Sequence, residues 1–154
     1  MKKFGFILFP AISLGVGALA GFLTKDSLAN VYPLLEKSSL TPPGWVFPIV
    51  WTVLYLLMGI GMALVEARGG PERSRALTLF GIQLALNFGW SLLFFNSGAY
   101  LSALLCLIVL WVMILAMAGS FASVSRLAAW LQIPYLLWVA FAGCLNAAVW
   151  VLNW

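Results

Sequence analysis

The sequence predicts an all-α integral membrane protein folded as a bundle of five transmembrane helices. Three observations carry that prediction. The chain of 154 residues is 64% hydrophobic and only 8% charged, with a mean hydropathy of +1.08, whereas about a quarter of a soluble domain is charged. Its apolar residues gather into five runs of roughly 20 or more, the length that crosses a hydrocarbon core about 30 Å thick. No charged residue occurs between Arg75 and Arg126.

The first run spans about residues 4–23. A basic start (Lys2, Lys3) and the Ala18-Leu19-Ala20 ending imitate a cleaved signal peptide. The run continues to Leu23, however, and Gly15, Gly17 and Gly21 suit close helix packing, so it is read as a retained span. Residues 24–42 form the one long connection, and long loops in compact bundles are often lids. The semi-apolar Val31–Lys37 piece is placed over the bundle mouth. The second run, 43–65, has Thr41 as its cap and Pro43 in its first turn, which fixes where Trp51 and Tyr55 point. The third, 76–95, joins the fourth, 99–121, through Asn96-Ser97-Gly98. The fifth, 127–152, is long enough to tilt or project. Pro10, Pro48 and Pro134 are expected as kinks. The whole chain, 1–154, is one such domain.

With five spans, Lys2, Lys3, Arg68, Arg73, Arg75 and Arg126 share one face, and Lys25 and Lys37 the other. The positive-inside rule then puts the N-terminus in the cytoplasm and the long loop on the opposite face. These flanking charges explain the net +4 without nucleic acid. There is no histidine, which excludes Ser-His hydrolysis and histidine-ligated haem or metal. Cys106 and Cys144 lie in different apolar runs and read as buried thiols rather than a disulfide, so no metal site is assigned. No span carries an interior Asp, Glu, Lys or Arg, which argues against proton coupling through a buried carboxylate. What remains for chemistry is aromatic surface, hydroxyls and amides.

Depth brings three of these groups together. At 1.5 Å per residue, Trp51 lies about 10 Å below the loop face, and Asn87 and Trp138 about 18 and 17 Å above the other. All three then sit near one level of the core. On the third span Gln83, Asn87, Trp90, Ser91 and Phe94 form one helical stripe, while Gly81, Ala85 and Gly89 form another on the roughly opposite face. Tyr135, Trp138, Ala142, Leu145 and Asn146 make a similar stripe on the fifth, and Trp51, Leu54, Tyr55 and Met58 on the second. A ligand pocket among the aromatics and plain bundle packing both fit these stripes. The small-residue stripe fits either an intramolecular helix contact or a dimer face. Trp45, Trp130, Trp150 and Trp154 fall near span ends, where an interfacial aromatic belt is expected.

The segments "YPLLEKSSLTPPGWVFPIVWTVLYLLMGIG", "LALNFGWSLLFF" and "IPYLLWVAFAGCLNAAVWVLN" resemble the TspO/translocator protein (TspO/MBR) family, the tryptophan-rich sensory proteins once called peripheral benzodiazepine receptors. The match covers most of the chain in order and spacing. The resemblance implies a five-helix bundle, commonly a homodimer, with a pocket under the first loop for tetrapyrroles such as protoporphyrin IX and haem, and in eukaryotic members for sterol and drug-like ligands. Carried over by position, the ligand-binding residues are Tyr32, Trp51, Tyr55, Asn87, Trp90, Ser91, Phe94, Trp138, Ala142 and Leu145. No cofactor is required beyond the porphyrin as ligand. Two alternatives stay open: a light-dependent porphyrin-degrading enzyme, in which Trp51 and Trp138 are redox partners, and a transporter of tetrapyrroles or sterols. The chain departs from the family's loop pattern L-x-K-P-x-W-x-P-P, with Ser38 at the first proline and Leu40 at the tryptophan, so a loop aromatic that would cover the ligand is missing. No basic residue follows Arg126, so the sterol consensus near the family's C-terminus is missing, and Leu28-x3-Tyr32-x4-Lys37 matches only its loose form, in a loop.

Overall fold

The computed structural model describes residues 2–153, without the side chain of Lys2. Trp154, expected in the interfacial belt, and the Lys2 charge therefore lie outside the described residues. The chain runs through α1 (Lys2–Asn30), a 3-10 turn (Tyr32–Leu34), α2 (Val46–Arg68), α3 (Arg73–Ser91), a π-helical turn (Leu92–Asn96), α4 (Tyr100–Ala122), α5 (Arg126–Trp130) and α6 (Ile133–Asn153). Five stretches are long and apolar enough to cross a membrane: Lys3–Asn30, Val46–Arg68, Arg73–Asn96, Tyr100–Ala122 and Arg126–Asn153. The protein is an all-α, multi-pass membrane bundle.

Three differences from the sequence reading have a local reason. The α1 helix continues seven residues past 23, into the predicted loop. Nothing in Thr24–Asn30 is a helix breaker, the Thr24 hydroxyl bonds back to the Ala20 carbonyl (2.8 Å), and Asn96 of the π turn holds this end. Its amide donates to the Leu23 carbonyl and its Oδ1 accepts from Ser27, both at 2.9 Å. The α2 helix starts at Val46 rather than 43, and Thr41 does not cap it. Trp45 is the residue before the first turn and no side chain caps it. Pro48 then falls in the first turn, where the absent N–H is no loss, and is not a mid-helix kink. The fifth span is broken at Leu131–Gln132 into α5 and α6. Pro134 sits in the first turn of α6 and cannot donate back to Trp130. Ser125 caps α5 by accepting from the Ala128 amide at 3.2 Å.

The chief packing pairs are α1 on α2, α3 on α4 and α4 on α6. Glycine permits the tightest crossing: a Cβ on Gly59 would lie 2.3 Å from the Pro10 Cα, so backbone meets backbone between α2 and α1. Gly98 turns the π segment into α4 at φ +60°, a conformation that suits glycine. The Gly81, Ala85 and Gly89 stripe does not make the intramolecular helix contact allowed by the sequence. Gly81 and Ala85 are exposed, and a Cβ at Gly81 or Gly89 would meet nothing within 4 Å. In contrast to the close pairs, α2 and α6 barely approach one another. The space between them, closed by α1 and the end of α3, is the cavity.

Candidate functional site

Below the strap of residues 31–45 lies a cavity of about 700 Å³, within the range typical of small-molecule sites. Aromatic walls come from three helices. Trp51 and Tyr55 project from α2, Trp90 from α3 and Trp138 from α6, with Phe94 and Phe95 on the π turn. The π turn places Phe94 and Phe95 side by side, their ring centroids 4.9 Å apart. Trp51 is central to the cluster: its ring lies 5.7 Å from Tyr55, 6.1 Å from Trp90 and 6.3 Å from Tyr135. Trp138 packs against Phe47 at 5.8 Å and Phe141 at 5.6 Å. These contacts fix the indole planes before any guest arrives.

Beneath the cavity a chain of hydrogen bonds crosses the bundle. Tyr55 donates to Asn87 Oδ1 (2.9 Å), Asn87 Nδ2 donates to the Tyr135 hydroxyl (2.7 Å), and Tyr135 donates to Gln83 Oε1 (2.7 Å). Both polar ends of Asn87 are thereby occupied, and the residue is 1% exposed. Asn87 therefore does not line the cavity, which corrects its place among the expected ligand-binding residues: the Tyr55 ring lies between it and the hollow. Tyr55 is itself held from the other side. A Cβ on Gly17 would lie 2.3 Å from its ring, so only glycine at that point of α1 leaves the ring where it is.

Of the ligand-binding residues read from the sequence, Tyr32, Trp51, Tyr55, Trp90, Ser91, Phe94, Trp138, Ala142 and Leu145 all line this one hollow. The sequence reading missed the contribution of α1, which supplies Leu14, Gly17, Ala18, Ala20, Gly21, Thr24 and Leu28. Its small residues were assigned to helix packing alone, and small side chains serve equally to make room. Asn146, on the α6 stripe, also lines the cavity and accepts from Trp90 Nε1 (3.0 Å) while donating to the Tyr100 carbonyl (2.9 Å). Trp111 is a packing residue, with its N–H on the Leu136 carbonyl at 3.0 Å.

Two sets of contacts hold the first half of the strap. Lys37 Nζ donates to the Tyr32 and Leu35 carbonyls (2.9 and 3.0 Å) and lies 4.7 Å over the Tyr32 ring. Burial pushes the Tyr32 phenol above its usual pKa, so it stays neutral as a cavity wall. Asn153, in the last turn of α6, accepts from the Glu36 amide (2.9 Å) and donates to the Glu36 carbonyl (2.7 Å), gripping one strap residue by both backbone groups. Leu40, where the family carries an aromatic, is 72% exposed and covers nothing.

Among the described residues no charged side chain lines the cavity and no cluster of metal-ligating groups exists. The polar wall is sparse: threonine and serine hydroxyls with the Tyr32, Tyr55 and Asn146 side chains, while the Trp138 indole nitrogen is buried away from the hollow without an acceptor among the described residues. A buried donor left unpaired costs free energy until something accepts from it. The arrangement thus offers broad π faces and a few neutral polar groups, and no acid–base pair.

The sequence profile of the TspO/MBR family matches residues 6–151. The chain is 40% identical to the "Tryptophan-rich protein TspO" of Chlorobaculum tepidum, covering 96% of this chain and 97% of that protein. It is 35% identical to the "Tryptophan-rich sensory protein" of Cereibacter sphaeroides over 97% of this chain and 91% of the other. It is also 38% identical to the human "Translocator protein", covering 95% and 86%.

Proposed function

The chain belongs to the TspO/MBR family of membrane proteins, and from that premise we propose that it is a receptor for a flat, largely apolar ligand, a tetrapyrrole such as protoporphyrin IX or haem. The observation that carries this is the single hollow of about 700 Å³ walled by Trp51, Trp90 and Trp138 beneath the strap. Stacked or edge-on aromatic contacts contribute about 0.5–1.5 kcal/mol each beyond area burial. Three indoles around one macrocycle therefore supply useful affinity without an axial metal ligand. The wall carries no counter-ion for the acid groups of a porphyrin, so these belong at the mouth under the strap, toward water. We place the N-terminus in the cytoplasm and the strap on the opposite face.

Titration of the purified protein with protoporphyrin IX, followed by quenching of tryptophan emission, tests the reading. Saturable quenching is expected, and Trp51→Ala and Trp138→Ala should each weaken it about tenfold, the effect of losing roughly 1.4 kcal/mol of contact. Unchanged affinity in both variants would remove the site.

Photo-oxidation of the porphyrin is the second reading. Its support is the contact of Trp51 with two tyrosine rings, Tyr55 and Tyr135, three oxidisable groups in one cluster. Loss of the porphyrin band in light and oxygen, abolished by Trp51→Phe, separates degradation from binding. Uptake into liposomes separates transport from both.

A further inference from the structure

A second hollow lies at the other end of the bundle, away from the strap. It is an outward-opening groove of about 380 Å³ lined by Ala118 and Ala122 of α4, Arg126, Ala129 and Trp130 of α5, and Ile133 of α6. It lies where α4 ends and where the fifth span is broken into α5 and α6. Its floor is alanine, so an extended hydrocarbon chain can lie close to the helix backbones. Trp130 forms one edge and is 69% exposed.

The charges at this end single out Arg126. Among the described residues this face carries Lys3, Arg68, Arg73, Arg75 and Arg126 against Glu66 and Glu72. Arg73 is ion-paired with Glu66 and Arg75 lies 3.6 Å from Glu72. Arg68 donates to the Val124 carbonyl at 2.9 Å, which also brings its positive charge close to the groove. Arg126 alone among these arginines has no hydrogen bond or ion pair with the described residues. A planar guanidinium matches a phosphate bidentately. An indole favours the level where apolar chains meet headgroups.

We propose that the Arg126–Trp130 groove is a binding site for one anionic phospholipid, with the phosphate on the Arg126 guanidinium and an acyl chain along Ala118, Ala122 and Ala129. The alanine floor gives a free phosphate nothing to hold, whereas a lipid satisfies the cation and covers the floor together. The site stands apart from the aromatic cavity and does not depend on what that cavity binds.

Native mass spectrometry of the full chain, released from detergent containing equal amounts of phosphatidylglycerol and phosphatidylcholine with the same acyl chains, reads the site directly. One phosphatidylglycerol should be retained in about fivefold preference, the effect of one basic residue near an anionic surface. Arg126→Gln should abolish the preference, while Arg75→Gln, which removes the same charge from the same face, should keep it. Ala122→Phe, which fills the floor, should reduce retention of both lipids. Melting temperatures near that of the wild type establish that the variants fold, and Trp130→Ala provides a second probe of the groove. Equal retention of the two lipids by the wild type would overturn the site, as would equal losses in Arg126→Gln and Arg75→Gln. So would displacement of the lipid by millimolar inorganic phosphate, or a changed oligomeric state in Arg126→Gln with lipid retention intact.

Discussion

At the residue scale, Asn87 shows how polar side chains are used where water is scarce. An amide in apolar surroundings must find partners or destabilise the fold. Asn87 finds two, the hydroxyls of Tyr55 and Tyr135, so three helices are joined through one side chain. Asn87→Leu removes the acceptor of Tyr55 and one partner of the fully buried Tyr135. It should lower stability by about 1–3 kcal/mol, read as a lower melting temperature in detergent. Porphyrin affinity should fall much less than in Trp51→Ala, because the amide lies below the cavity floor. The sequence stripe grouped Asn87 with Trp90, Ser91 and Phe94 correctly by angle. The depth reading set Asn87 level with Trp51 and Trp138, but neither depth nor angle could show that the ring of Tyr55 comes between the amide and the hollow. The same limit explains Tyr135, whose stripe includes Trp138 but whose own side chain is wholly buried.

At the scale of elements, the strap and the π turn decide the shape of the mouth. The strap's shape is held by its own lysine, by the grip of Asn153 on Glu36 and by Tyr32 and Leu35 packed on the core, while Leu34 and Leu40 are both largely exposed. Asn153→Ala leaves both backbone groups of Glu36 to water. Amide hydrogen exchange across residues 31–45 should then rise severalfold, and bound porphyrin should dissociate faster, with little change in melting temperature. Unaltered exchange would show that other contacts hold the strap. The five helices were legible because apolar runs of membrane length admit few other structures. Their ends were less legible, for reasons visible in particular residues. Thr24–Asn30 stays helical because Asn96, seventy residues away in the chain, bonds to Leu23 and Ser27. Composition alone does not signal such a contact. Nor does it mark a π turn, which arises where one extra residue is accommodated in Leu92–Asn96.

At the scale of the molecule, a side chain at Gly81 or Gly89 on the small-residue stripe of α3 would meet nothing within 4 Å among the described residues, and Ala85 is exposed. Such stripes let helix backbones approach closely in membranes, and we propose that this face meets a second copy. Gly81→Leu should shift the protein toward monomer in light scattering at matched detergent concentration, without loss of porphyrin binding, because Gly81 does not line the cavity. An unchanged mass would assign the stripe to lipid contact. A different property follows from the makeup of the aromatic chamber. Twelve of the chain's residues are charged, yet none of the described ones borders that hollow. Moving a unit charge through 100 mV is worth about 2.3 kcal/mol, and a wall without charges has none to move. The chamber walls are thus blind to membrane voltage, and any electrical sensitivity of occupancy must be brought by the guest.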